Sequence, residues 1–177
     1  MIQAPPNPSI ERTPSSKLRL LPVAAHVKDA MHSSQVSLLD EDQCQALESF
    51  LVDRIYEFNS QTTGYFDGKL LGGSILDAEG KVIAGFCGHT WGGSCELTNV
   101  WVSEGHRGQG LGKALLHSAE AEARRRGCLL VVLLTHSFQA PGFYEANGYE
   151  RKYAIEGLPA GHSDLVYIKV LRGEPGA

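Results

Sequence analysis

Arg107-Gly108-Gln109-Gly110-Leu111-Gly112-Lys113 joins an apolar run, residues 97–102, directly to a helix-patterned segment, residues 111–126. A strand therefore runs through a glycine-rich turn into a helix. Glycines let the main chain come close to a ligand, and the unpaired amides of a first helical turn, backed by the macrodipole, attract anions. The pattern predicts a phosphorylated ligand at this turn. Two familiar phosphate loops do not fit the letters. A Walker loop needs glycine where Arg107 stands and Ser or Thr where Ala114 follows Lys113, and the dinucleotide loop needs its third glycine at Lys113.

What remains is Arg-x-x-Gly-x-Gly. Placed after a strand ending in Val100-Trp101-Val102, that spacing resembles the pyrophosphate-binding signature of the GNAT acyltransferase superfamily, whose co-substrate is acetyl-coenzyme A. Downstream, Ala140-Pro141-Gly142-Phe143-Tyr144-Glu145-Ala146-Asn147-Gly148-Tyr149 resembles that superfamily's other recurrent segment, Ala-x-x-Phe-Tyr-Glu-x-x-Gly-Phe/Tyr. The order of strand, turn, helix, strand and Phe-Tyr-Glu helix agrees as well. The resemblance covers roughly residues 36–171. It implies an α/β fold with a central mixed, mostly antiparallel sheet flanked by helices on both faces.

Pattern along the chain leads to the same class. Residues 36–39 read as a short strand, and Asp40 as the N-cap of a helix reaching about Asn59. Cys44, Leu47, Leu51, Ile55 and Phe58 recur at steps of three and four, the spacing of one buried stripe. Antiparallel sheet follows, with strands at 70–77, 81–91 and 94–103; Gly92-Gly93 makes a tight hairpin. Beyond the glycine turn come strand 128–135, a short helix at 141–147, and strands 149–156 and 164–171.

At 177 residues, 42% of them hydrophobic, the chain fits one domain with a real core. Residues 1–34 are expected to be a flexible, proline-rich extension, and 35–173 the acyltransferase domain. A net charge of −4 argues against a nucleic-acid footprint. Arg124, Arg125 and Arg126 read as cations complementing the end of a helix that Gly127 stops. The four cysteines, Cys44, Cys87, Cys95 and Cys128, lack metal or redox spacing and are expected to be free thiols, and the histidines form no metal motif. No run is long and apolar enough to span a membrane, so the expected location is cytoplasmic.

The resemblance implies transfer of an acetyl group from acetyl-coenzyme A to an amine by direct attack, with no metal. Arg107, Gly108, Gln109, Gly110, Leu111, Gly112 and Lys113 would bind the pyrophosphate. Main-chain groups at Val100, Trp101 and Val102 would hold the acetyl oxygen and stabilise its developing charge, while their side chains read as ordinary half-buried strand. Ser137 would stand where relatives bond the cofactor arm through Asn, although helix capping also explains it. Tyr144 matches the tyrosine whose hydroxyl protonates the departing thiolate, and an ordinary phenol pKa near ten suits that task. Phe143 reads as packing. Glu96 is the best carboxylate for the general base; a water chain or the acceptor's own free amine fraction are the alternatives, and a solvated hairpin residue is the plain reading.

The expected acceptor is a small soluble amine, met by the loop Glu156-Gly157-Leu158-Pro159-Ala160-Gly161-His162, with Glu156 and Glu57 supplying negative charge. Three other readings stay open. They are a protein lysine or N-terminal acetyltransferase, a non-catalytic acyl-coenzyme A sensor, and a nucleotide-binding regulator. A homodimer is compatible with all of them.

Overall fold

A computed structural model describes residues 36–171, so the expected N-terminal extension and the domain's outer bounds lie outside the described residues. Nine regular elements follow one another: α1 (Glu41–Thr63), β1 (Lys69–Leu76), β2 (Val82–Trp91), β3 (Ser94–Val102), α2 (Leu111–Arg125), β4 (Leu130–His136), α3 (Pro141–Ala146), β5 (Glu150–Glu156) and β6 (Ser163–Val170). A single 3-10 turn, Glu104–His106, leads into the glycine turn. The strands form one sheet in the order β1-β2-β3-β4-β6-β5. Only β3 and β4 run parallel; the other four pairs are antiparallel. The mixed, mostly antiparallel α/β class is as the sequence implies.

Alternation along the strands sends one set of side chains under α2. Ala84, Phe86 and Thr90 of β2, Cys95 and Leu97 of β3, and Val131 and Leu133 of β4 are all buried. From α2 itself Leu115, Leu116, Ala119 and Ala123 close on them, at the three-and-four spacing of one helix face. Cys95 and Cys128 lie inside this core, where burial pushes the Cys95 thiol up to about 11, with the neighbouring Cys128 adding to the shift. Cys87 lies exposed on β2 while Cys95 is buried on β3, so the pair across the hairpin does not meet.

The packed side also holds a buried carboxylate. Glu120, 2% exposed, is met by Lys169 Nζ at 2.8 Å from both oxygens and by the Tyr149 hydroxyl at 3.2 Å. A buried charge persists only when paired in this way. The helix then stops where Gly127 takes φ +79°, as expected. The arginines before it do more than cap: Arg125 forks onto Glu122, and Arg126 reaches Leu70 O and Thr90 Oγ1 across the sheet.

Two expectations fail in the first segment. Residues 36–40 form no strand; Val36 and Leu38 are exposed, and no strand among the described residues offers their main chain a partner. Asp40 does cap α1, in a reciprocal capping box with Gln43, but the helix runs past Asn59 to a left-handed stop at Gly64. Its predicted stripe is not buried. Leu47, Leu51, Ile55 and Phe58 are 41–69% exposed, and Ser60 is the helix's one buried residue. α1 is held through its last turns, where the Tyr56 hydroxyl accepts from Gly68 N, and the loop that follows is pinned by Trp91 Nε1 donating to Tyr65 O.

Candidate active site

The β3–β4 ladder pairs only Ser94 to Leu97 with Leu130 to Leu133. Beyond those four pairs the strands splay, and between them opens a cleft of about 1000 Å³. Residues 98–102 of β3 thus have a sheet neighbour on the β2 side alone, leaving main-chain groups free along the cleft edge. A bulge helps to turn this edge. Cys87 pairs with Asn99 and Gly88 with Leu97, so Thr98 is the extra residue, its hydroxyl bonded to Cys87 O. Gly88 makes that possible, because a Cβ there would stand 2.0 Å from Glu96 O.

The glycine turn closes one end. Gly108 and Gly110 adopt φ of +74° and +83°, a region that side-chain-bearing residues rarely enter, and Gly110 is the N-cap of α2. The first intrahelical donor is Ala114 N, to Gly110 O at 3.0 Å. The amides of Leu111, Gly112 and Lys113 therefore have no main-chain acceptor and stand at the positive end of the helix. Gly112 serves differently: a Cβ on it would meet the Phe143 ring at 3.0 Å, so its absence lets α3 close against α2. Arg107 Nε donates to Val102 O, tying the turn to the strand end.

Each letter of Phe143-Tyr144-Glu145 has a separate contact. Phe143 packs on Gly112 and lines the cleft, and Glu145 accepts from the Tyr167 hydroxyl at 2.7 Å. Burial, with that bond adding to it, pushes the Tyr167 phenol up to about 12. Tyr144 also lines the cleft, 7% exposed, among the rings of Phe143, Tyr149 and Tyr167. Its hydroxyl makes no hydrogen bond among the described residues. Burial raises its pKa, which corrects the expectation of an ordinary phenol.

Most of the sequence-derived residues meet at this cleft. Val100, Trp101, Val102, Arg107, Gly108, Gly110, Leu111, Gly112, Lys113 and Tyr144 line it. Three do not. Gln109 turns away, its amide bonded to Gly105 O. Ser137 is tied to β6, its hydroxyl accepting from Ser163 N and its amide donating to Ser163 O, so Gln139 and Asn147 supply the polar lining instead. Glu96 lies outside the lining, half exposed beside His89 at 3.9 Å. Thr98 and Asn99 line the cleft as well, and so do Leu134, Thr135 and Phe138, to which the sequence pattern assigns no role in the site. Of the residues assigned to the acceptor, Glu156 accepts from Ser163 Oγ at 2.6 Å, whereas Glu57 pairs with Arg54 on exposed α1. No helix among the described residues is long and apolar enough to cross a membrane.

The GNAT acetyltransferase domain family matches residues 72–151, from β1 to the start of β5. Blasticidin-S acetyltransferase of Streptomyces morookaense is 38% identical over 93 residues, 52% of this chain and 68% of that protein. An acetyltransferase of Agrobacterium fabrum is 32% identical over 116 residues, 66% of this chain and 85% of its own length. In structure, an acetyltransferase from Bacillus cereus superposes with a TM-score of 0.64 at 28% identity, over 77% of this chain and 97% of that one.

Proposed function

The chain belongs to the GNAT acetyltransferase family and is an acyltransferase, and from that premise we propose that it moves an acetyl group from acetyl-coenzyme A to the primary amine of a small molecule by direct attack. One observation carries the reading. A single cleft joins the first turn of α2, the unpaired edge of β3 and Tyr144. The turn suits a pyrophosphate, through its amides, its dipole and Lys113. The β3 edge suits a thioester oxygen, whose charge grows as the amine adds.

Tyr144 is the proton donor in this reading. Its raised pKa keeps the phenol protonated at neutral pH, and the same dry surroundings make a bare thiolate unfavourable, so the proton has reason to move as the carbon–sulfur bond breaks. Glu96 stands outside the cleft lining and beside His89, so it has no direct reach to the amine in this reading. A small acceptor is favoured by the likeness to a blasticidin-S acetyltransferase and by a net charge of −4 with no long acidic run to track a basic polypeptide.

Thiol release from acetyl-coenzyme A is the test, run with blasticidin S, spermidine, kanamycin, lysine and a lysine-bearing peptide. Release that depends on a small amine is expected. Release with the peptide far above every small amine would overturn the acceptor class, and none with any of them would overturn the reaction. Gly110→Glu, which puts bulk and negative charge at the turn, should abolish coenzyme A binding in calorimetry, while Tyr144→Phe should lower turnover about ten- to a thousandfold with affinity kept.

A further inference from the structure

We propose that His136, held by Asp164, is the base that takes the proton from the acceptor ammonium, an assignment that rests on the acetyl-transfer reading. His136 is the last residue of β4 and stands opposite Asp164 of β6 in the antiparallel register. Its Nδ1 is buried against Asp164 Oδ1 as an ion-pair contact, not an aligned hydrogen bond, and has no other partner. An imidazole so placed keeps its proton on Nδ1 and leaves the lone pair on Nε2. That nitrogen makes no hydrogen bond among the described residues, and the side chain is 38% exposed.

His136 stands at the margin of the cleft. Leu134, two residues earlier on the same face of β4, and Phe138, two residues later, both line it. The imidazole stacks on the Phe138 ring at 5.0 Å between centroids and 14° between planes. On the other side of Phe138 stands His162, its ring edge-on at 4.8 Å, from the loop between β5 and β6. The loop expected to meet the acceptor thus reaches the cleft through this aromatic row. His136 and Glu96 both stand outside the lining, but His136 is flanked by the lining residues Thr135 and Phe138 and stacks on the latter, whereas Glu96 faces His89.

Nε2 accepts one proton from the ammonium, and the freed lone pair bonds to the thioester carbon while the carbonyl pair moves to oxygen. As that pair returns, the carbon–sulfur bond breaks and the thiolate takes the Tyr144 proton. The nitrogen's second proton restores Tyr144 through solvent, and His136 releases its own to the medium. Asp164 touches no reacting atom; it is a positioning residue that holds the ring by its Nδ1 edge.

Rate against pH, with the best amine of the panel as probe, tests the assignment. The titratable neighbours are Asp164 on β6, His162 across Phe138, and Glu156 beyond Ser163. His136→Gln should lower kcat at least tenfold, leave the rate to follow the acceptor's own free-amine fraction, and leave coenzyme A affinity unchanged. The deficit should shrink toward high pH, where the amine is already free. Asp164→Asn withdraws the carboxylate that holds the ring, so kcat should fall by less than in His136→Gln while the KM for the amine changes little. A His136→Gln enzyme with the wild-type rate and profile overturns this base and leaves the acetyl-transfer reading standing. A wild-type protein inert toward the whole panel overturns both.

Discussion

α2 and α1 both show an apolar stripe in the sequence, yet only α2 buries it. The reason lies in how each helix is attached. α2 is the crossover between the parallel strands β3 and β4, so both of its ends are tied to the sheet, and Gly112 lets Phe143 hold its first turn from the other side. α1 is joined by the loop of residues 64–68 and is gripped only near its end, by Tyr56. Periodicity reports which face a helix could bury; attachment decides what that face meets.

Substitutions on the two helices turn this difference into numbers. Leu116→Ala on α2, at a side chain 1% exposed, should cost about 4 kcal/mol in urea unfolding, within the range for truncating a buried leucine. Lys169→Met, beneath the same helix, should cost about 3 kcal/mol, since Glu120 keeps only the Tyr149 hydroxyl and Arg124 at 3.6 Å. Losses of about 0.5 kcal/mol or less in either variant, the size expected at an exposed position, would mean that the packed side is looser than its burial implies.

Alkaline pH reads the packed side alone. Tyr144, Tyr149 and Tyr167 all have phenols raised by burial, Tyr167 to about 12. A raised folded-state pKa contributes stability that is whole below the unfolded value near ten and is lost as pH climbs through the folded value. Thermal unfolding should therefore weaken between about pH 10 and 12. Tyr167→Phe should flatten that decline, and an unchanged slope would take Tyr167 out of it.

The smallest effect belongs to α1. Leu51→Ala and Ile55→Ala, at exposed positions, should change stability by no more than about 0.5 kcal/mol. Costs matching Leu116→Ala would break the comparison and show the stripe covered in solution.

The same contrast marks what could be read beforehand. Gly108, Gly110 and the Phe-Tyr-Glu letters were legible because their tasks are local: a left-handed turn, a helix start, a short helix against a glycine. Asp40, with its capping box, was legible for the same reason. The rest depends on register. Thr98 becomes a bulge only because Gly88 faces Glu96, and Ser137 is lost to the cleft only because Ser163 lies opposite. The pairings of His136 with Asp164, Glu120 with Lys169 and Glu145 with Tyr167 each join distant segments. No spacing along one strand contains them.

The four-pair ladder between β3 and β4 has a further consequence. It is the seam between two three-stranded halves, β1-β2-β3 and β4-β6-β5, and anything seated in the cleft touches both. Ligand occupancy should then be legible in solvent exchange of amide protons. Along residues 98–102, those facing the cleft should exchange fast in the free protein and slow when coenzyme A fills it, while amides already bonded to β2 change little. The co-substrate would act as a fastener, supplying across the seam the closure that the diverging strands omit.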